Sequence, residues 1–127
     1  MLGDTPAIAT IPVRDMHAAT RFYEDVLGLT RAAPDRMGAV LYRAGTAQLL
    51  VYQSAFAGTN QATAVTWGGV DVDAVARALA ERGVVFEHYD MPNVTREGDV
   101  HVGGGMRNAW FKDPDGNIHA LVQSQDA

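Results

Sequence analysis

Trp110-Phe111-Lys112-Asp113-Pro114-Asp115-Gly116-Asn117 is the stretch from which the fold can be read. Pro114 presets its own φ for a turn, the aspartates bond back to nearby backbone, and Gly116 supplies left-handed freedom. Between two apolar runs, such a turn predicts a hairpin with strands over 107–111 and 117–123. Working backward, 84–89 reads as a further strand. Ahead of it Asp71 is a good N-cap for a helix whose apolar face is Val72, Val75, Ala76 and Leu79, stopped by Gly83. A strand over 62–67 precedes that helix.

The first half repeats this order. Residues 7–13 read as a strand, and Asp15 then caps a helix carrying Ala19, Phe22, Tyr23 and Val26 on one face before Gly28 ends it. Three short strands follow, over 30–33, 39–43 and 48–52. The chain is therefore expected to be α+β, with two βαβββ modules over about 5–53 and 62–125. Each module presents a sheet face it cannot bury alone, so the pair is expected to form a concave mixed-sheet cleft, the default place for a ligand. Residues 91–105, with Pro92, Gly98, Gly103, Gly104 and Gly105, are too long for a plain hairpin connection; they read equally as a mobile lid and as a surface hairpin tip.

Composition narrows the function. The 127 residues and 13.6 kDa fit one domain, or two small modules sharing a core. The absence of cysteine excludes disulfides, zinc knuckles, iron–sulfur clusters and thiol nucleophiles, and any metal would need His or carboxylate ligands. A net charge of −5, with Lys112 the single lysine, offers no polybasic patch and argues against nucleic acid or anionic membrane as partner. Residues 1–10 show neither a basic n-region nor a sustained apolar run, so a cytoplasmic address is expected. The uncharged stretch 44–70 contains Gly45, Gln48, Gln53, Gly58, Asn60 and Gln61, and reads as buried strands with a loop rather than a membrane span.

Two segments carry a family resemblance. Val13-Arg14-Asp15-Met16 followed by Arg21-Phe22-Tyr23-Glu24-Asp25-Val26-Leu27-Gly28-Leu29 resembles the opening strand and helix end of the vicinal oxygen chelate superfamily, and 110–117 is similar to its hairpin before the last strand. That superfamily includes glyoxalase I, extradiol dioxygenases, fosfomycin-resistance enzymes and bleomycin-binding proteins. In its metal-dependent members the resemblance implies ligands on the first, fourth, fifth and last strands. The corresponding positions here are Ile8, Leu50, Ala64 or Val65, and Ala120. None carries an oxygen or nitrogen donor, so the usual metal site is expected to be absent, and no cofactor is expected. In bleomycin-binding members a Trp stacks on the ligand just before a Gly-Gly pair, where this chain has Val102. The resemblance also implies a homodimer.

Among polar residues, His17 reads as solvated and His119 as a packed histidine facing the helix. His88 and His101 flank the glycine-rich stretch near Asp90, Glu97 and Asp99, in a spacing that matches no metal motif. Asp113 and Asp115 are explained by turn chemistry, and Gly103-Gly104-Gly105 has neither the following helix nor the lysine of a phosphate cradle. No catalytic residue is assigned. The expected ligand-binding residues are Leu50, Tyr52, Phe56, Trp67, His101, Met106, Arg107 and Ala120, a largely uncharged and aromatic wall with Arg107 placed to meet a carboxylate or phenolate. Two functions fit. One is metal-independent sequestration of a small hydrophobic or aromatic compound, such as an antibiotic or natural product. The other is a metal-dependent lyase, isomerase or dioxygenase of the same superfamily.

Overall fold

The computed structural model describes residues 1–124. It is α+β, with two mixed sheets and two compact units: Met1–Asn60 together with Pro114–Asn117, and Gln61–Asp113 together with the chain from Ile118 onward. The expected end of the second module at residue 125 lies outside the described residues.

In the first unit β1 (Ala9–Val13) leads to α1 (Met16–Thr20), then β2 (Thr30–Arg31), β3 (Ala39–Ala44) and β4 (Ala47–Gln53), in sheet order β1-β4-β3-β2. Asp15 caps α1, its carboxylate accepting from the N–H groups of His17 and Ala18. The helix does not continue as one α-helix to Gly28. Arg21–Val26 is π-helical, with the Leu27 N–H donating to the Phe22 carbonyl at 2.9 Å. The wider turn lets two consecutive rings, Phe22 and Tyr23, point inward. They are buried together with Ile11, Val13, Val40, Tyr42, Leu49 and Val51, the alternate residues of β1, β3 and β4, and Tyr23 stacks 6.1 Å from Tyr42. Each such buried side chain contributes about 1.5–3 kcal/mol.

The second unit contains β5 (Thr63–Gly68), α2 (Val72–Glu81), β6 (Phe86–Glu87), β7 (Thr95–Glu97), β8 (Val100–Gly103), β9 (Met106–Lys112) and β10 (Ile118–Ser124). Its sheet runs β5-β10-β9-β8-β7, with β6 paired to β9. Asp71 caps α2 through Ala74 N–H, and Val72, Ala76 and Leu79 are buried. The stretch 91–105 holds a β-hairpin at the edge of the sheet. Two of its segments are strands, β7 pairing with β8 and β8 with β9. The β8–β9 turn is Gly104-Gly105, with φ of 60° and 75°, the paired positive values a two-residue hairpin turn needs. No helix among the described residues is long and apolar enough to cross a membrane.

Candidate functional site

Strand register sorts the second sheet into two faces. Toward α2 lie Val100, Ala109, Phe111, His119 and Leu121, all buried, and Gln123, whose Oε1 accepts from Val72 N–H at 3.1 Å. On the opposite face Ala120 stands between Trp110 of β9 and Thr66 of β5, and His101 of β8 stands beside Asn108. Met106, Asn108 and Trp110 share that face by alternation. Rings gather there. His101 meets Trp110 edge-on with centroids 4.9 Å apart, and Tyr89 packs at 5.3 Å from Trp110 and 6.1 Å from His101.

His101 is 2% exposed, and its Nε2 accepts from the Tyr89 N–H at 3.0 Å. Beside it His88 is exposed and both its ring nitrogens are engaged, Nε2 with Asp99 at 2.8 Å and Nδ1 with Arg96 at 2.7 Å. The guanidinium in that chain opposes a second cation. Among the described residues no three His, Asp or Glu side chains gather as a metal-holding group. The side chains at Ile8, Leu50, Ala64 or Val65, and Ala120 do not fit the divalent ion that the resemblance implies for metal-dependent members either.

Five of the eight expected residues lie on a strand face turned away from the helix of their own sheet. Leu50 and Tyr52 share the first sheet's face away from the helix, with Leu41 and Ala39 as cross-strand partners. His101 and Ala120 share the corresponding face of the second, and Met106 joins them at its edge. Phe56 is 77% exposed in the loop after β4 and belongs to neither strand face. Trp67 and Arg107 are corrections of placement. Trp67 pairs with Leu121, not with Ala120, so it points to the α2 side, where its indole N–H donates to His119 Nδ1 at 3.0 Å. Arg107 also points there. Its Nε and Nη2 each donate to the Asp73 carboxylate at 2.8 Å, a bidentate pair that holds Asp73 below the usual carboxylate range. Arg107 is thus a clasp between β9 and α2, and the second unit's far face has a Glu87–Lys112 pair at 3.3 Å instead.

Trp110, Tyr89 and Asn108 were missed. The signal for Trp110 was present: once the turn at 113–116 is fixed, antiparallel pairing sets Trp110 opposite Ala120. His101 and Asn108 meet only through β8, which the glycine-rich composition disguised.

Among the described residues, two of the grooves on the first unit include none of the eight expected residues. One, of about 400 Å³, runs beside Met16, Thr20, Arg31 and Gln53. Arg31 is matched there by Glu24 at 2.8 Å and by Asp35, so it holds no spare charge for an anion. The other, of about 460 Å³, lies beside Ile8, Arg43 and Thr46.

Two units that each lay a helix on a mixed sheet define an α+β fold class. The model of the Glyoxalase/Bleomycin resistance protein/Dioxygenase superfamily matches residues 6–121, and the chain belongs to that superfamily. No curated protein matches it. Among solved structures, TnmS3, an antibiotic binding protein from Streptomyces sp. CB03234, is 25% identical, with 98% of each chain covered and a TM-score of 0.65. A glyoxalase/bleomycin resistance protein from the same organism is 26% identical over 92% of this chain and 98% of that one, TM-score 0.61. The fosfomycin resistance protein FosX from Listeria monocytogenes shares the fold at 13% identity, TM-score 0.71, over 93% and 91% of the two chains.

Proposed function

We propose that this protein binds a small hydrophobic or aromatic compound, such as an antibiotic or other natural product, without a metal and without turning it over. The observation that carries the reading is the ring cluster of Tyr89, His101 and Trp110 beside Ala120 on one face of the second sheet. His101 is closed to solvent, so Trp110, once the more exposed Tyr89 ring moves aside, is the surface on which a flat ligand stacks, and burial plus stacking supplies affinity without a charged anchor. The 25% identical antibiotic binding protein supports the same class of ligand. A metal-dependent lyase, isomerase or dioxygenase would need donors where Ile8, Leu50, Ala64 or Val65, and Ala120 stand. Leu50 with Tyr52 is proposed as a further apolar contact surface on the first sheet.

Trp67 and Trp110 are the two tryptophans, so Trp67→Phe leaves Trp110 as sole reporter on the proposed face. Titration of that variant with anthraquinones, coumarins and indoles should give saturable quenching at one site per chain, unchanged by a chelator. Non-saturating response to the whole panel, or binding that vanishes with chelator, would overturn the reading.

A further inference from the structure

Two buried polar atoms on the Trp110 face have no hydrogen-bond partner: His101 Nδ1 and Asn108 Oδ1. Their residues are direct register partners across β8 and β9, so the two atoms belong to one patch of the sheet. The state of the imidazole follows from its other nitrogen. Nε2 accepts from the Tyr89 N–H, so in the neutral ring Nδ1 carries the proton and is a donor. Asn108 Oδ1 is an acceptor. A donor and an acceptor on one face of the sheet, both withdrawn from water and not bonded to each other, are costly in the free protein, and proteins rarely leave such groups unmatched.

We infer that His101 and Asn108 form a complementary hydrogen-bonding edge selecting, among flat aromatic molecules, those that carry an acceptor next to a donor on one side, such as a cyclic amide or a hydroxyl beside a carbonyl. The inference rests on the ligand-binding reading above and adds which ligands that face prefers. The ligand carbonyl takes the His101 Nδ1–H, its N–H or O–H goes to Asn108 Oδ1, and the ring plane lies against Trp110. Both protein atoms are closed to solvent. Tyr89, 37% exposed and packed on both His101 and Trp110, is the ring a ligand displaces to reach them.

The matched probes are 2-quinolone, with both groups, 1-methyl-2-quinolone, which lacks the donor, and naphthalene, which lacks both. Calorimetric titration should rank them in that order, with at least roughly tenfold lost at each step, as expected when a buried partner is left unpaired. In Asn108→Leu the difference between the two quinolones should collapse, which separates a lost hydrogen bond from a clash of the methyl group. The same substitution removes an unmatched buried acceptor, so it should raise the Tm of the free protein by roughly 2–5 °C. His101→Phe, which keeps a ring, should erase the preference of both quinolones over naphthalene. Equal affinity of the wild type for all three probes overturns the inference and leaves the binding reading standing. Binding of none of the three, in a protein whose melting is intact, overturns the inference, and overturns the binding reading as well when the wider panel also fails to bind. Persistence of the quinolone preference in folded Asn108→Leu also overturns the inference.

Discussion

His119 has no exposure to solvent; it is stacked 4.9 Å from Phe111 and 6.1 Å from Trp67, whose indole N–H it accepts at Nδ1. Burial lowers its pKa from 6.5 to about 4, because the charged ring would lose its hydration. The sign of the linkage follows. With the folded value depressed, the unfolded chain binds the extra proton first, so stability is complete above pH 6.5 and is lost as pH falls toward about 4. Over that interval the loss is on the order of 3 kcal/mol. Urea midpoints at pH 7.5, 5.5 and 4.5 should fall more steeply for the wild type than for His119→Asn, which keeps an acceptor near the indole but does not titrate. Parallel slopes would show that His119 does not set the dependence. This histidine was legible as a packed residue because alternation from the hairpin put it on the other face of the strand from Ala120. The same reasoning failed for Trp67, since a strand joined to its neighbour in parallel has no turn to fix its register, and one residue of slip exchanges the faces. Arg107 failed for a related reason. Its partner Asp73 lies 34 residues away in sequence, on a helix, and no local pattern announces a tertiary ion pair.

At the scale of elements, the 113–116 turn does more than reverse the chain. Asp115 Oδ1 accepts from Arg14 N–H at 3.1 Å, and Asn117 Nδ2 donates to the Pro12 carbonyl at 2.8 Å, so residues 114–117 pack with the first unit. Gly58 completes the fit. It has φ of +73°, and a Cβ there would overlap the Asp115 backbone oxygen. Gly58→Ala should therefore cost roughly 2–4 kcal/mol, combining left-handed strain with a clash against backbone that has little room to give. Gly45→Ala is the control: φ is +61° but nothing lies within 4 Å, leaving strain alone at about 1 kcal/mol. Equal melting temperatures for the two variants would refute the packing argument. Both helices and the long strands were legible, because Asp15 and Asp71 are strong caps and the apolar positions repeat cleanly. Three elements were not. The π-helical turn keeps nearly the same apolar spacing as an α-helix. Thr95–Glu97 is exposed throughout and offers no alternation to read. β8 ends in the glycines that make its turn, and those glycines masked the strand.

For the whole molecule, assembly is the property with the most consequence, and the resemblance that fits the fold also implies a homodimer. The exposed apolar side chains of the first unit, Met37, Phe56, Ile8 and Tyr52, give association something to bury. Charge works the other way. Each chain carries −5, so two chains repel at long range, and screening that repulsion should favour pairing. Light scattering behind size exclusion should therefore report about 27 kDa, twice the 13.6 kDa chain, at micromolar concentration, with the monomer fraction growing at low salt and high dilution. Because pairing stabilises only the folded chain, the Tm should also climb with protein concentration. A mass of one chain that is independent of salt and concentration, together with a concentration-independent Tm, would establish a monomer. In that case any ligand must be held by residues of a single chain.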